Sequence, residues 1–185
     1  MFFQGVNTTD TSPQTNETWV SRCTFESPED DSCLFSNDVS GIDNADWRIN
    51  SGSTPSNTGP STAAVGTNYI ETSYNYMGYG VFAYYISSAM NFNSSLCMSF
   101  YYHMYGTSVG SLEVIAYSSA GTQVLFSQSS DQGNRWYYQD VHIANLDNVK
   151  IIFNATDGDS YRGDIAIDHI LLFLNQCGRF FLHDE

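Results

Sequence analysis

The residues of this chain best suited to chemistry are its carboxylates, and one of them stands where a strand pattern breaks. In Gly163-Asp164-Ile165-Ala166-Ile167-Asp168-His169-Ile170-Leu171-Leu172-Phe173 the apolar side chains alternate through Ile165 and Ile167, then resume at Ile170 and Leu172 with opposite parity. One extra residue has entered the strand, which predicts a β-bulge with Asp168 at the parity change. A carboxylate turned inward needs main-chain N–H donors, a cation or a buried base. With six Lys and Arg in 185 residues, the first two are favoured. Calcium takes six to eight oxygen ligands, so a cation site needs carboxylates from separate loops. Asp168 is one candidate ligand, and the chain's other acids include Glu26, Asp43 and Asp46. The plainer alternative has Asp168 accepting N–H bonds in its own bulge while Glu26 and Asp43 face solvent. Asp157-Gly158-Asp159 has a calcium-like look but lacks the remaining ligands of an EF-hand loop and reads as a turn.

Other chemistry finds little support. The histidines, His103, His142, His169 and His183, show no H-x-x-H or H-E-x-x-H spacing, and there is no G-x-S-x-G elbow among the many serines. No intrinsic enzyme activity is expected. Twenty acidic residues against six basic ones leave a net charge of −14, which opposes binding to nucleic acid or to an anionic membrane surface. No stretch approaches the roughly 20 apolar residues of a membrane span, so direct membrane insertion is not expected. Met1-Phe2-Phe3 is too short for a signal peptide, and the chain reads as a fragment of a longer secreted or membrane-anchored protein.

The elements that must position the acids are strands. Apolar residues make up 42% and aromatic residues 15%, with thirteen Tyr and twelve Phe, a strand-favouring composition. Leu96 to Tyr105 alternates with both rows partly apolar, as in a central strand covered on two sides. Further strands are expected at 68–73, 80–86, 112–117, 124–127, 136–143 and 149–155, with turns at Gly, Asn and Asp. Residues 52–66 are loop, long enough to wrap the domain or to serve function. No amphipathic helix is predicted. The expectation is an all-β, two-sheet antiparallel sandwich of jelly-roll type, with residues 1–21 a tail or linker in which Trp19-Val20 offers an earlier strand start, 22–178 the domain and 179–185 a C-terminal tail.

Cys23, Cys33, Cys97 and Cys177 lack zinc spacing and suit two disulfides, with three connectivities open. Cys23–Cys33 and Cys97–Cys177 are favoured, because the first closes a short acidic loop and the second joins a central strand to the last one. By loop entropy these would contribute roughly 3 and 4.5 kcal/mol. An oxidising compartment also suits the sequons at Asn7, Asn16, Asn93 and Asn154. Asn154 is placed outward by the buried row Val149, Ile151, Phe153 and Ala155. Tyr74, Tyr76, Met77, Tyr79, Tyr84 and Tyr85 form an aromatic cluster, and whatever part is exposed is the expected interface. Arg162-Gly163-Asp164 spells an integrin-recognition tripeptide, but its Gly and Asp open a strand, so coincidence is favoured. Arg162 remains an interface candidate.

Cys23-x-Phe25-Glu26, Asp46-Trp47, Thr58-Gly59-Pro60-Ser61, Cys97-x-Ser99-Phe100-x-Tyr102, Gly110-x-Leu112-x-Val114, Trp136 and Gly163-Asp164-Ile165-Ala166-Ile167-Asp168 together resemble a MAM domain. That module occurs in meprins, neuropilins and receptor-type tyrosine phosphatases, and the resemblance runs from Cys23 to Cys177. It implies a disulfide-bonded jelly roll without catalytic activity, acting in adhesion or ectodomain oligomerisation. It also implies a structural calcium or sodium ion on Glu26, Asp43 or Asp46, and Asp168. His169 stands where the family commonly has a second acid, and Asn44 and Ala45 thin the carboxylates before Trp47. The expected partner is an extracellular protein, either another chain or a second copy. A calcium-assisted lectin-like domain, with tyrosines stacking on sugar rings, is the alternative.

Overall fold

The computed structural model of the chain describes residues 19–27, 32–54, 57–73, 79–144, 147–174 and 177. Asn7, Asn16, Tyr74, Tyr76 and the C-terminal tail lie outside these. Eleven strands follow one another: β1 (Trp19–Cys23), β2 (Phe35–Asn37), β3 (Arg48–Ser51), β4 (Asn68–Ser73), β5 (Phe82–Ser87), β6 (Leu96–Gly106), β7 (Ser111–Ser118), β8 (Gly121–Ser129), β9 (Tyr137–Ile143), β10 (Lys150–Thr156) and β11 (Gly163–Leu174). No helix occurs among the described residues. β1 begins inside the segment expected to be a tail. Trp19 starts it because its ring packs on Phe173 of β11, centroids 4.4 Å apart.

The strands form two antiparallel sheets. One runs β3-β4-β11-β6-β9, with β1 also paired to β11, and the other runs β2-β5-β10-β7-β8. Alternation puts Ile165, Ile167, Met104, Phe100 and Met98 of the first sheet against Leu112, Val114, Ile151, Phe153 and Ala155 of the second, all buried. Phe100 is the centre of this layer. Its ring meets Phe153 edge-on at 5.0 Å and Phe126 at 5.6 Å, while Phe35 reaches Phe153 at 5.7 Å. β6 is buried on both faces, as its two apolar rows predict.

The disulfides join Cys23 to Cys33 and Cys97 to Cys177, the pairing that the loop and strand arguments favour. Trp47 closes one end of the core. Its Nε1 donates to the Ala83 carbonyl, and the Asn37 side chain both accepts from its N–H and donates to its carbonyl. Asn154 lies on the outer face of β10 and donates from Nδ2 to Glu113; Asn93 is exposed in the loop before β6.

The bulge stands where the parity change puts it. On β11 the step from Asp168 to Leu171 spans three residues, opposite a two-residue step from Tyr101 to Ser99 on β6, and His169 takes φ of 50°. The same place is where β11 changes partner, pairing with β4 through Ile167 and with β1 from Ile170 onward. One direction needs correcting. Asp168 points away from the sandwich interior, because it continues the row of Asp164 and Ala166 rather than that of Ile165 and Ile167. It is nevertheless fully buried, covered by the 52–66 segment lying over the outer face of the six-stranded sheet.

Candidate functional site

The gap between β1 and β4 gathers two carboxylates. β1 runs out at Cys23 beside Ile170, Phe25 turns the chain with φ of 64°, and Glu26 then faces the start of β4. Glu26 Oε1 accepts from the N–H groups of Thr67 and Asn68 at 2.7 and 2.8 Å. Asp168 Oδ2 accepts from Ala64 and Val65 at 2.9 and 3.0 Å. Gly66, between these donor pairs, has φ of 74°, and a Cβ there would stand 2.5 Å from Glu26 Oε1. Four N–H groups of one short segment are thus divided between two acids. Burial pushes Asp168 up to about 6, the N–H bonds from Val65, His169 and Ala64 acting against it and the nearby Glu26 charge acting with it. Asp168 Oδ1 is buried and has no hydrogen-bond partner.

Asp43 and Asp46 are elsewhere. Asp43 Oδ2 accepts from the Tyr84 N–H of β5 at 2.7 Å, fixing the 38–46 turn to the five-stranded sheet. Burial raises its pKa despite that bond, with the charges of Asp38 and Asp46 adding to the rise. The four expected ligands therefore divide into two groups, Glu26 with Asp168 and Asp43 with Asp46. Among the described residues no three of His, Cys, Asp and Glu gather as a metal centre would require. The reason is topological: the Asp-Trp motif is pinned to β5 of one sheet, and the bulge belongs to the other.

Asp168 Oδ1 and Glu26 nevertheless fit a hard cation in part. They supply carboxylate oxygens of the right chemistry, and the orphaned Oδ1 is a buried acceptor that lacks a donor.

A second carboxylate pair lies along the same sheet face. Asp164 opens β11 and is 1% exposed; Glu71 of β4 is 3% exposed. Asp164 Oδ2 accepts from Thr58 Oγ1 at 2.7 Å, and Glu71 Oε1 accepts from Asn50 Nδ2 at 3.0 Å. Glu71 Oε2 is buried without a partner. Burial, then the charge of Asp164, pushes Glu71 up to about 7. Tyr69 is also raised by burial and by both acids, and its hydroxyl donates to the Gly52 carbonyl at 2.8 Å. His103 packs edge-on to Trp136 at 5.4 Å, and its Nε2 pairs with Asn134 Oδ1 at 3.1 Å. Burial holds its pKa below the usual value, against the pull of Asn134, Asp164 and Asp131. Trp136 Nε1 donates to the Thr62 carbonyl.

This second group was not singled out in the sequence. Its signal was the row Tyr69, Glu71 on β4 and Asp164 on β11, which reads as a solvent face until the 52–66 loop covers it.

Of the interface candidates, Tyr79 is 74% exposed, while Tyr84 and Tyr85 are half-buried, Tyr85 stacked 6.0 Å from Phe35. Arg162 is exposed with its guanidinium 5.7 Å from the Tyr161 ring. The tripeptide that begins there cannot be read by an integrin, since Gly163 and Asp164 are buried. A Cβ at Gly163 would stand 2.4 Å from the Ser108 carbonyl oxygen, which explains the glycine by packing.

A two-sheet sandwich closed by two disulfides, with a long loop clamped by acids onto one face, defines an extracellular β-sandwich module. The chain belongs to the MAM domain (meprin/A5/mu) family, whose model matches residues 23–178. It is 36% identical over 176 residues to chicken (Gallus gallus) MAM domain-containing glycosylphosphatidylinositol anchor protein 1, covering 84% of this chain and 18% of that protein. It is 33% identical over 163 residues to mouse (Mus musculus) MAM domain-containing protein 2, covering 84% of this chain and 23% of that protein. The chain thus spans less than a quarter of these relatives. Among solved structures, the K1 cleaved adhesin domain of Lys-gingipain from Porphyromonas gingivalis superposes with a TM-score of 0.58 at 14% identity, covering 84% of this chain and 98% of that one. The CBM22-1 xylan-binding domain of Paenibacillus barcinonensis Xyn10C superposes with a TM-score of 0.54 at 11% identity, covering 88% and 97%. These likenesses show the jelly-roll fold.

Proposed function

We propose that this chain is a non-catalytic interaction module of an extracellular protein, acting in adhesion or ectodomain oligomerisation. The observation that carries this reading is the family match over residues 23–178, which takes in strands β2 to β11 and both disulfides. Residues 64–68 are bonded to Glu26 and Asp168, and these two acids are the residues that would hold a structural calcium or sodium ion there. Such an ion would neutralise two carboxylates whose partners are otherwise main-chain N–H groups.

The test of the interaction role is binding of protein-coated beads to cells displaying the parent ectodomain and to bare cells. Specific capture supports the reading, and equal capture by both overturns it. The cation has its own test. Calcium at about ten times its Kd stabilises a binding protein by about 1.4 kcal/mol. A melting temperature that rises with calcium in the parent and not in Asp168→Asn supports the site. A rise that survives Asp168→Asn and is lost in Asp43→Asn moves the ion to the other carboxylate group.

A second reading, a carbohydrate-binding domain, is favoured by one surface feature. A shallow groove of about 520 Å³ is lined by Thr58, Tyr105, Thr107, Asp131, Tyr161 and Arg162. The exposed Tyr161 ring and the half-buried Tyr105, beside hydroxyl, acid and guanidinium groups, suit sugar hydroxyls and sugar ring faces, and the CBM22-1 domain with the same fold is described as xylan-binding. Glycan-array binding that is lost in Tyr161→Ala would favour this reading over the first.

A further inference from the structure

The five-stranded sheet ends on β8, which pairs with β7 and with no other described strand. A strand so placed leaves a row of main-chain N–H and C=O groups without a strand partner, here up to Ser129, whose carbonyl accepts from Gln132 Nε2 at 2.9 Å, and proteins ordinarily blunt such edges with short length, charge or proline. The other edges of this molecule follow that rule. β2 has three residues, β3 has four and includes Arg48, β1 carries Arg22, and β9 carries Asp140 and His142. β8 does not follow it. Its nine residues, Gly121–Ser129, include no acid, no base, no histidine and no proline. A single bulge at Leu125, between the pairs Val114 with Phe126 and Ile115 with Val124, twists the strand without shortening it.

Charge selects the occupant. A net charge of −14 opposes contact between copies over most of the surface, since approach brings acids together. β8 and the turn before it are exempt, because Tyr117 to Ser130 contains no charged residue. Antiparallel pairing of one β8 with another is also self-complementary: about a two-fold axis every N–H that meets a C=O is matched by its symmetry mate. The exposed side chains of β8 are Thr122, Gln123, Val124, Ser127 and Ser129, with Val124 53% exposed, and none sets like charges opposite each other.

We propose that β8 is a self-association edge, along which two copies of this chain pair β8 to β8 antiparallel and join their five-stranded sheets into one continuous sheet. The proposal rests on the interaction-module reading and names a second copy as its partner. Cation binding and the covered face of the other sheet play no part in it.

Sedimentation velocity over a wide concentration range, on protein from a secretory host, tests it with two variants of an exposed position. The parent is expected to form dimers. Val124→Lys sets two ammonium groups close to the axis and is expected to weaken dimerisation at least tenfold, with its melting temperature unchanged. Val124→Thr keeps the edge neutral and is expected to dimerise within about threefold of the parent. A parent that stays monomeric throughout overturns the proposal. So does Val124→Lys dimerising as tightly as the parent, or Val124→Thr losing as much as Val124→Lys. A monomeric parent whose beads are still captured by displaying cells overturns only this edge and leaves the interaction role standing.

Discussion

Glu26 with Asp168 and Glu71 with Asp164 are two carboxylate pairs set along one face of one sheet, and both hold the 52–68 segment, yet they are solvated in opposite ways. The first pair is given donors: four main-chain N–H groups from residues 64 to 68 point at it. The second is given cover: Glu71 accepts one amide from Asn50 and is otherwise buried, and Asp164, also buried, accepts from the Thr58 hydroxyl. A carboxylate supplied with N–H bonds can remain charged inside a protein, whereas one supplied mainly with burial keeps its proton to higher pH. Glu71, at about 7, is therefore the acid most easily held neutral, and Asp168, at about 6, lies between it and an ordinary carboxylate.

The largest expected effect tests the donor-rich pair. Asp168→Ala leaves the Ala64 and Val65 N–H groups without their acceptor, and urea unfolding is expected to show a loss of about 3 kcal/mol. Asp168→Asn retains an acceptor oxygen and should lose about half as much. Equal losses would mean that the charge, rather than acceptance of two N–H bonds, holds the loop.

The next effect tests the covered pair through pH. Glu71 in the folded chain keeps its proton up to about 7, against 4.5 in its ordinary state, so the folded form binds more protons between those values. Stability then falls as pH rises from 4.5 through 7, and the full penalty applies above 7. Asp168, raised from 3.8 to about 6, contributes in the same direction over a lower window. His103 opposes both, because its lowered pKa makes the unfolded chain the better proton binder as pH falls through the ordinary histidine value of 6.5. Comparing Glu71→Gln with the parent isolates one group. The variant is expected to be more stable by about 2 kcal/mol at pH 8, with the advantage gone by pH 5. A difference that does not change with pH would show that Glu71 is charged throughout.

The smallest effect concerns the single hydroxyl in the second pair. Thr58→Ala removes the donor to Asp164 Oδ2 and should cost about 1 kcal/mol in the same unfolding measurement. A loss as large as that of Asp168→Ala would erase the contrast between the pairs.

Much of this was legible in the residues themselves. Alternation located most strands and the central position of β6, and the parity change between Ile167 and Ile170 located the bulge. These are local signals, since side-chain parity is a property of one strand. β2 escaped notice because three residues carry no period, and the tail boundary fell late because the anchor of β1, Trp19 on Phe173, lies across the sheet.

The candidate site divides in the same way. The chain by itself marked Asp168 as a carboxylate needing partners, while Glu26, Asp43 and Asp46 entered as its companions through the family resemblance. Which acids meet depends on contacts distant in sequence, and only the tertiary structure decided it. It carried Asp43 and Asp46 to β5 of the other sheet, away from their nominal companion Asp168, and brought Ala64 and Val65 to Asp168 across 104 and 103 positions. It also turned Tyr69, Glu71 and Asp164 from an apparent solvent row into a buried one, by bringing Gly52 to Tyr69 and Thr58 to Asp164. Burial of a sheet's outer face depends on a covering loop, and no periodicity within the strands records it.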